Sequence, residues 1–191
     1  MLIDDFVPRP DAGEAHRVEI GAPPQVVYDA LWTTDLGSSP IIKGLLGLRS
    51  LPAFVRHPTT CRPANRKITL QTIIASGFGV LAQDSGREIV LGVAGPFWRP
   101  VGNLLPFKEE NFHGPVPAGA ARAVWNFAVR ETSNQRTLLS TETRIVCGER
   151  SSRRKFRAYW FFVRPFSGLI RILMLRAVKR ACEGQGSNSL P

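Results

Sequence analysis

The sequence predicts an α+β domain, and three observations carry that prediction. Apolar and polar residues alternate over 122–131 and again over 136–147, two runs joined by the polar turn Thr132-Ser133-Asn134-Gln135, which is the period-2 signature of paired strands. The last part of the chain changes period: Leu169, Ile170, Leu173, Met174, Ala177, Val178 and Ala181 fill one arc of a helical wheel. The chain has 191 residues, 43% hydrophobic and 21% charged, which is enough for one sizeable core and too apolar for a disordered polymer.

The elements follow in order. His16 to Ile20 alternates, with Val18 and Ile20 on one face, and reads as a short strand ended by Gly21-Ala22. Pro23 and Pro24 suit a first helical turn, where a missing N–H costs nothing, and Val27, Tyr28, Leu31 and Trp32 then recur at helical spacing. Ser39-Pro40 opens a second short helix carrying Ile41, Ile42, Leu45, Leu46 and Leu48, weakened by Gly44 and Gly47. Residues 49–67, interrupted by prolines, read as a connecting loop. From Thr69, the spacing of Leu70, Ile73 and Ile74 with Gly77 as a stop predicts another short helix. Runs 78–83 and 87–94 flank Asp84-Ser85-Gly86, a hairpin signal. Residues 95–119 hold five prolines and four glycines among Trp98, Leu104, Leu105, Phe107 and Phe112, so they form an irregular segment with apolar anchors and room for an edge strand.

In the longest predicted hairpin, Trp125, Phe127 and Val129 share one face. With a tight turn, Thr141, Thr143 and Ile145 lie opposite them on that same face, which should look inward, and Asn126, Glu142 and Arg144 take the other. Ser151 or Ser152 caps a final helix running from Arg153 towards Glu183, broken or kinked at Pro165, with Arg171, Arg176, Lys179 and Arg180 mainly on its outer arc.

Several function classes are disfavoured. The start, Met1-Leu2-Ile3-Asp4-Asp5-Phe6, has acids where an export signal needs basic residues. The greasy stretch Phe156–Val178 is interrupted by Arg157, Arg164, Pro165, Arg171 and Arg176, so it does not read as a membrane span. Cys61, Cys147 and Cys182 are scattered and form no CxxC pair, which points to reduced thiols in the cytoplasm. His16, His57 and His113 form no helical ligand pair, so no metal is expected. Gly77-Phe78-Gly79-Val80-Leu81-Ala82 matches a dinucleotide pattern, but a turn rather than a helix follows it, so no nucleotide cofactor is expected either. No GxSxG elbow or cysteine-nucleophile signature is present. The net charge of +10 sits between residues 150 and 180, which hold ten Lys and Arg residues and no acid. That stretch reads either as the solvated back of the helix or as a surface for a polyanion.

The opening His16-Arg17-Val18-Glu19-Ile20-Gly21-Ala22-Pro23-Pro24-Gln25-Val26-Val27-Tyr28-Asp29-Ala30-Leu31 resembles the strand-Ala-Pro-helix start of the START-like, or SRPBCC, superfamily. Gly95-Pro96-Phe97-Trp98, Thr141-Glu142-Thr143-Arg144, Phe156-Arg157-Ala158-Tyr159-Trp160 and Arg164-Pro165-Phe166-Ser167-Gly168-Leu169-Ile170 are similar to a group of bacterial START-like proteins without an assigned function. The resemblance implies a helix-grip fold, a curved antiparallel sheet wrapped around a long C-terminal helix. It places an N-terminal extension at 1–15, the domain at 16–184 and a polar tail at 185–191. Members of the superfamily bind lipids, polyketides and hormones, and some are cyclases or hydrolases.

The implied function is therefore binding of a hydrophobic small molecule or lipid between sheet and helix, without a cofactor. Trp98, Trp125, Phe127, Tyr159 and Trp160, with Thr141 and Thr143, are the candidate wall, and the same aromatics equally suit a solid core. Glu142 and Arg144 share the opposite strand face: they form a solvent-facing salt bridge or, in an enzyme of the cyclase or hydrolase type, an acid–base and charge-stabilising pair. The basic helix gives a third reading, weak contact with an anionic membrane that combines its ten basic residues with Trp160, Phe161, Phe162 and nearby aliphatics. Its apolar arc is expected to cover the sheet, leaving charge outside, so salt should abolish that contact. Nucleic acid ranks below it as a partner.

Overall fold

The computed structural model describes residues 1–42, 44, 67–99, 104–132 and 136–186. A short helix α1 (Ile3–Phe6) precedes strand β1 (Ala12–Ile20) and helix α2 (Pro24–Thr33). Helix α3 (Leu70–Ala75), strands β2 (Gly79–Asp84), β3 (Glu88–Gly95), β4 (Ala121–Glu131) and β5 (Thr137–Cys147), and helix α4 (Arg150–Gly186) follow. The strands make one antiparallel sheet in the order β1-β5-β4-β3-β2. α4 packs across β1, β5, β4 and α2. The chain thus has the α+β helix-grip architecture, a curved sheet holding a long C-terminal helix.

The β4–β5 register pairs Trp125 with Thr143, Phe127 with Thr141 and Ala123 with Ile145, so the predicted facing residues do share one side. That inner side, with Leu139, Ile89, Leu91 and Ile20, packs against Leu31 of α2 and Met174, Leu175, Val178 and Cys182 of α4. Farther along the same side Val93, Ala121 and Ile145 pack against Phe97 and Phe156. The hairpin joining β2 and β3 turns on Gly86, whose φ of +81° an L side chain rarely adopts.

The outer side is covered as well. Ile3, Phe6 and Val7 lie on Val90, Ala94 and Val124 beside Leu81 and Phe112. Polar contacts fix this N-terminal strap. The Leu2 N–H donates to Glu88 Oε2 at 2.9 Å, and Arg144 Nη1 donates to Asp4 Oδ1 at 2.7 Å and to the Val7 carbonyl at 3.0 Å. Burial on both sides explains why β3 reads as an almost unbroken apolar run instead of alternating.

Several sequence expectations need correction. β1 begins at Ala12 rather than His16, because its pairing with β5 continues to Ala12↔Ile145. Helix α4 starts at Arg150, with Glu149 accepting the first helical bond from Arg153 N. The hydroxyls of Ser151 and Ser152 donate to the Glu149 carboxylate, so neither serine is the cap. Pro165 does not interrupt α4. It lies on the exposed side, where water serves the carbonyl its missing N–H leaves free.

The described part of 95–119 holds a 3-10 turn, Glu109–Phe112, and no strand beyond the end of β3. Thr69 caps α3 through a reciprocal box with Thr72. The proposed helix after Ser39 is helical from Pro40 to Ile42, and the rest of it, apart from Gly44, lies outside the described residues with the 49–66 loop.

The strap's burial is testable. Ile3→Ala removes a fully buried side chain and should lower the unfolding free energy by about 2–5 kcal/mol in urea titrations. A cost near zero would mean that residues 1–7 are a loose tail.

Candidate functional site

Between the two apolar clusters of the inner side lies a band of polar groups. Register puts Glu14 of β1 opposite Thr143, and Thr143 opposite Trp125. One row along, His16 faces Thr141, and Thr141 faces Phe127. From α4, Arg171 lays its guanidinium over the Trp125 ring, 4.7 Å from the centroid, a cation–π contact made away from bulk water. Gly168, one helical turn earlier, lets the helix sit close to β1: a Cβ there would fall 2.6 Å from Glu14 Oε1 and 3.3 Å from His16 Nε2.

The electrostatics of this band are unusual. Glu14 Oε1 and His16 Nε2 are 3.2 Å apart, with side chains only 13% and 19% exposed. Glu14 Oε2, Thr143 Oγ1 and Arg171 Nε and Nη1 are shut off from solvent without a hydrogen-bond partner among the described residues, and the buried His16 Nε2 has the Glu14 Oε1 contact. Burial pushes the Arg171 guanidinium down to about 10, an effect the Glu14 carboxylate opposes. The lowered value means that the folded chain holds this proton less tightly than the unfolded chain. The charge therefore costs stability at neutral pH, a cost relieved only as pH rises past about 10.

Orphaned donors and acceptors in an apolar site cost about 1–3 kcal/mol each, more for a charged group. Four such atoms on three adjacent residues make a surface suited to a polar group with matching acceptors and a donor. Arg171 Nε and Nη1 lie on different edges of the guanidinium, so each donates separately to an oxygen acceptor, and Glu14 Oε2 accepts from a hydroxyl.

The sequence-derived candidates divide around this band. Trp125, Phe127, Thr141 and Thr143 all face inward and are buried. Phe127 is part of the filled core. The Thr141 hydroxyl accepts from Trp125 Nε1 at 2.6 Å and donates to the Asn126 carbonyl at 2.7 Å, which leaves Thr143 as the hydroxyl turned to the band. Trp98, Tyr159 and Trp160 flank the band with Phe156, the Phe156 and Trp160 rings stacked at 5.7 Å.

Glu142 and Arg144 stand apart from all of these. They lie on the outer side, joined by Arg144 Nε donating to Glu142 Oε1 at 2.7 Å, and hold the N-terminal strap. Arg144 is thereby raised from its ordinary value, first by the hydrogen bond to Glu142. The pair does not project into the space between sheet and helix. A hollow of about 1150 Å3 does lie on that outer side, among Arg17, Arg87, Glu88, Arg130 and Glu142, but it is open, charged and ill-suited to sequestering apolar surface.

Glu14 and Arg171 were missed by sequence reasoning, and His16 was weighed only as a metal ligand. The alternation that points Val18 and Ile20 inward also points His16 and Glu14 inward once β1 is extended. Arg171 was expected on the outer arc. Instead, the inward line of α4 runs Phe156, Trp160, Ser167, Arg171, Met174, Val178, Cys182, spaced by three, four or seven residues. A cation inside an apolar 3–4 stripe was the available signal. Burial also pushes the Cys147 thiol up to about 11, so it stays protonated and is a poor nucleophile. No helix among the described residues is long and apolar enough to cross a membrane.

Neither a protein-family profile nor any curated protein matches this chain. Among solved structures, a Mesorhizobium loti protein is 12% identical over 94% of this chain and 100% of its own, with a TM-score of 0.38. The Bacillus cereus protein XoxI is 14% identical over 92% of this chain and 98% of its own, at 0.32. The ZhuI aromatase/cyclase of Streptomyces sp. R1128 is 10% identical over 94% of this chain and 99% of its own, also at 0.32. Likenesses this distant carry no argument about chemistry, and the helix-grip architecture stands on the strand order and the packing of α4 described above.

Proposed function

We propose that this chain binds a mostly apolar small molecule or lipid between the sheet and α4, with the ligand's oxygen-bearing end held by Arg171, Glu14, His16 and Thr143. The observation that carries this reading is the set of buried, unpartnered polar atoms on Glu14, Thr143 and Arg171, beside the Glu14–His16 contact. Trp98, Trp125, Tyr159 and Trp160 supply apolar wall on either side of them, and burying ligand surface there contributes about 25 cal/mol per Å2 before ordering costs. On this reading the chain is a START-like binding protein of the cytoplasm, where the free thiols of Cys147 and Cys182 remain reduced.

One contact favours a second, enzymatic reading of the same space. Glu14 Oε1 beside His16 Nε2 at 3.2 Å is an arrangement that moves a proton to or from a bound molecule. It transfers the acid–base role from Glu142 and Arg144, which serve the strap, to groups that face the helix.

Native mass spectrometry and organic extraction of the purified protein should recover an apolar compound bearing a carbonyl, carboxyl or hydroxyl group. Protein that is consistently empty and takes up no fatty acid, sterol or polyketide probe would remove the binding reading. Incubating the recovered compound with fresh protein separates the two functions: a binding protein returns it unchanged, an enzyme returns a product.

The double variant Glu14→Gln/Arg171→Met removes both charges while keeping the volume. Its unfolding free energy should equal the wild-type value or exceed it by up to about 3 kcal/mol, since apolar replacement of buried ions is often neutral or stabilising. Ligand retention should fall at least tenfold, the equivalent of about 1.4 kcal/mol. Full retention by a stable variant would show that the band holds no ligand.

A further inference from the structure

The outer side of α4 differs from the solvated, charged back that its sequence predicts. Phe161 is 77% exposed, Phe162 70%, Phe166 50% and Leu169 38%. They are separated by one, four and three residues, so with the exposed Pro165 they form one stripe, turned away from Phe156, Trp160 and Arg171. The Phe161 and Phe162 rings touch edge to face with centroids 5.4 Å apart. Large apolar side chains gathered on a surface mark an interaction site.

Cations stand at the N-terminal end of the stripe. Arg154, Lys155 and Arg157, all exposed, precede it, next to Arg153, which is paired to Asp11 at 2.8 Å. No acid occurs from Arg150 to Cys182. We propose that this face docks the domain on an anionic lipid bilayer, the phenylalanines entering the headgroup–acyl boundary and Arg154, Lys155 and Arg157 meeting lipid phosphates.

Charge complementarity selects this occupant. A second copy of the chain would set two acid-free cationic stretches against each other. A polyanion without an apolar layer would leave the phenylalanines in water. A bilayer interface satisfies both features at once, because apolar side chains of a surface-lying helix sit about 5–10 Å deep while Lys and Arg stay at headgroup level.

Sequence alone made the membrane contact electrostatic, since the apolar arc of α4 was assigned to the sheet. The helix instead presents a second apolar stripe outward, which makes part of the binding resistant to salt. The inner polar band plays no part in this contact, so docking and ligand binding are separable.

The test uses the full chain and cosedimentation with vesicles of phosphatidylcholine containing about one-third phosphatidylglycerol. Wild-type protein should pellet with them at about 0.15 M salt, where exposed charges alone are strongly screened. Phosphatidylcholine vesicles should hold at least tenfold less. Phe161→Ser/Phe162→Ser should reduce binding to the anionic vesicles at least tenfold and leave the thermal midpoint and ligand retention unchanged. Arg154→Glu/Arg157→Glu should reduce it comparably with both phenylalanines intact.

Wild-type protein that stays in the supernatant, or a Phe161→Ser/Phe162→Ser variant that pellets as wild type does, overturns the proposal. So does a vesicle-free dimer in sedimentation velocity that the phenylalanine substitutions dissolve, which would assign the stripe to a second copy. Single-stranded RNA bound more tightly than vesicles, and lost on the arginine substitutions, would also overturn it.

Discussion

The pairing of Trp125 with Thr143 and of Phe127 with Thr141 is the constraint on which the rest of the molecule rests. Strand side chains repeat every two residues, so a slip of one position would exchange the two sides of β5. Thr141 and Thr143 would turn outward and Glu142 and Arg144 would enter the core, taking away the anchor for Asp4. Two hydrogen bonds guard against that slip: Trp125 Nε1 to Thr141 Oγ1, and the Glu142 N–H to Asn126 Oδ1. Asn126 is fully buried, and its amide N–H also donates to Glu88. Buried polar groups of this kind specify one arrangement among several that apolar packing alone would tolerate.

The same register makes the helix–sheet space chemically uneven. Apolar rows at Ile145 and Leu139 bracket the rows of Thr143 and Thr141, so α4 lies on grease at both ends and on polar atoms in the middle. Gly168 allows the approach and Arg171 fills part of what remains, its plane against Trp125. A solid core would place leucines at these positions and gain stability. Glu14 and Arg171 at these positions depart from the local rules of an apolar core.

Features governed by nearby sequence were legible. The hairpin strands, the short helix α3, the Pro-led α2 and the two sides of β4–β5 follow from periodicity and turn chemistry within a few residues. What could not be read depends on distant neighbours. The strap offers only Ile3, Phe6 and Val7, too few for a period, and their burial needs the outer side of β3 and β4. The inward line of α4 was misplaced because its aliphatics were used to find the arc, although Leu169 is exposed and Arg171 faces the sheet. Helix-wheel reasoning assumes that charge points to water, and the assumption fails where a fold buries a cation deliberately.

The position of β1 imposes an order on assembly. Among the described residues its sole strand partner is β5, and the contact Ala12↔Ile145 joins residues that synthesis separates by most of the chain. While β2, β3 and β4 pair with sequence neighbours as they emerge, the first twenty residues have no edge to join until β5 exists. Closing so long a loop is slow relative to hairpin formation. Until closure, Val90, Val124 and the free edge of β5 stay uncovered, an unprotected template for another chain. The N-terminal strap and β1 can therefore dock only once β5 exists, and until they do these surfaces are open to another chain.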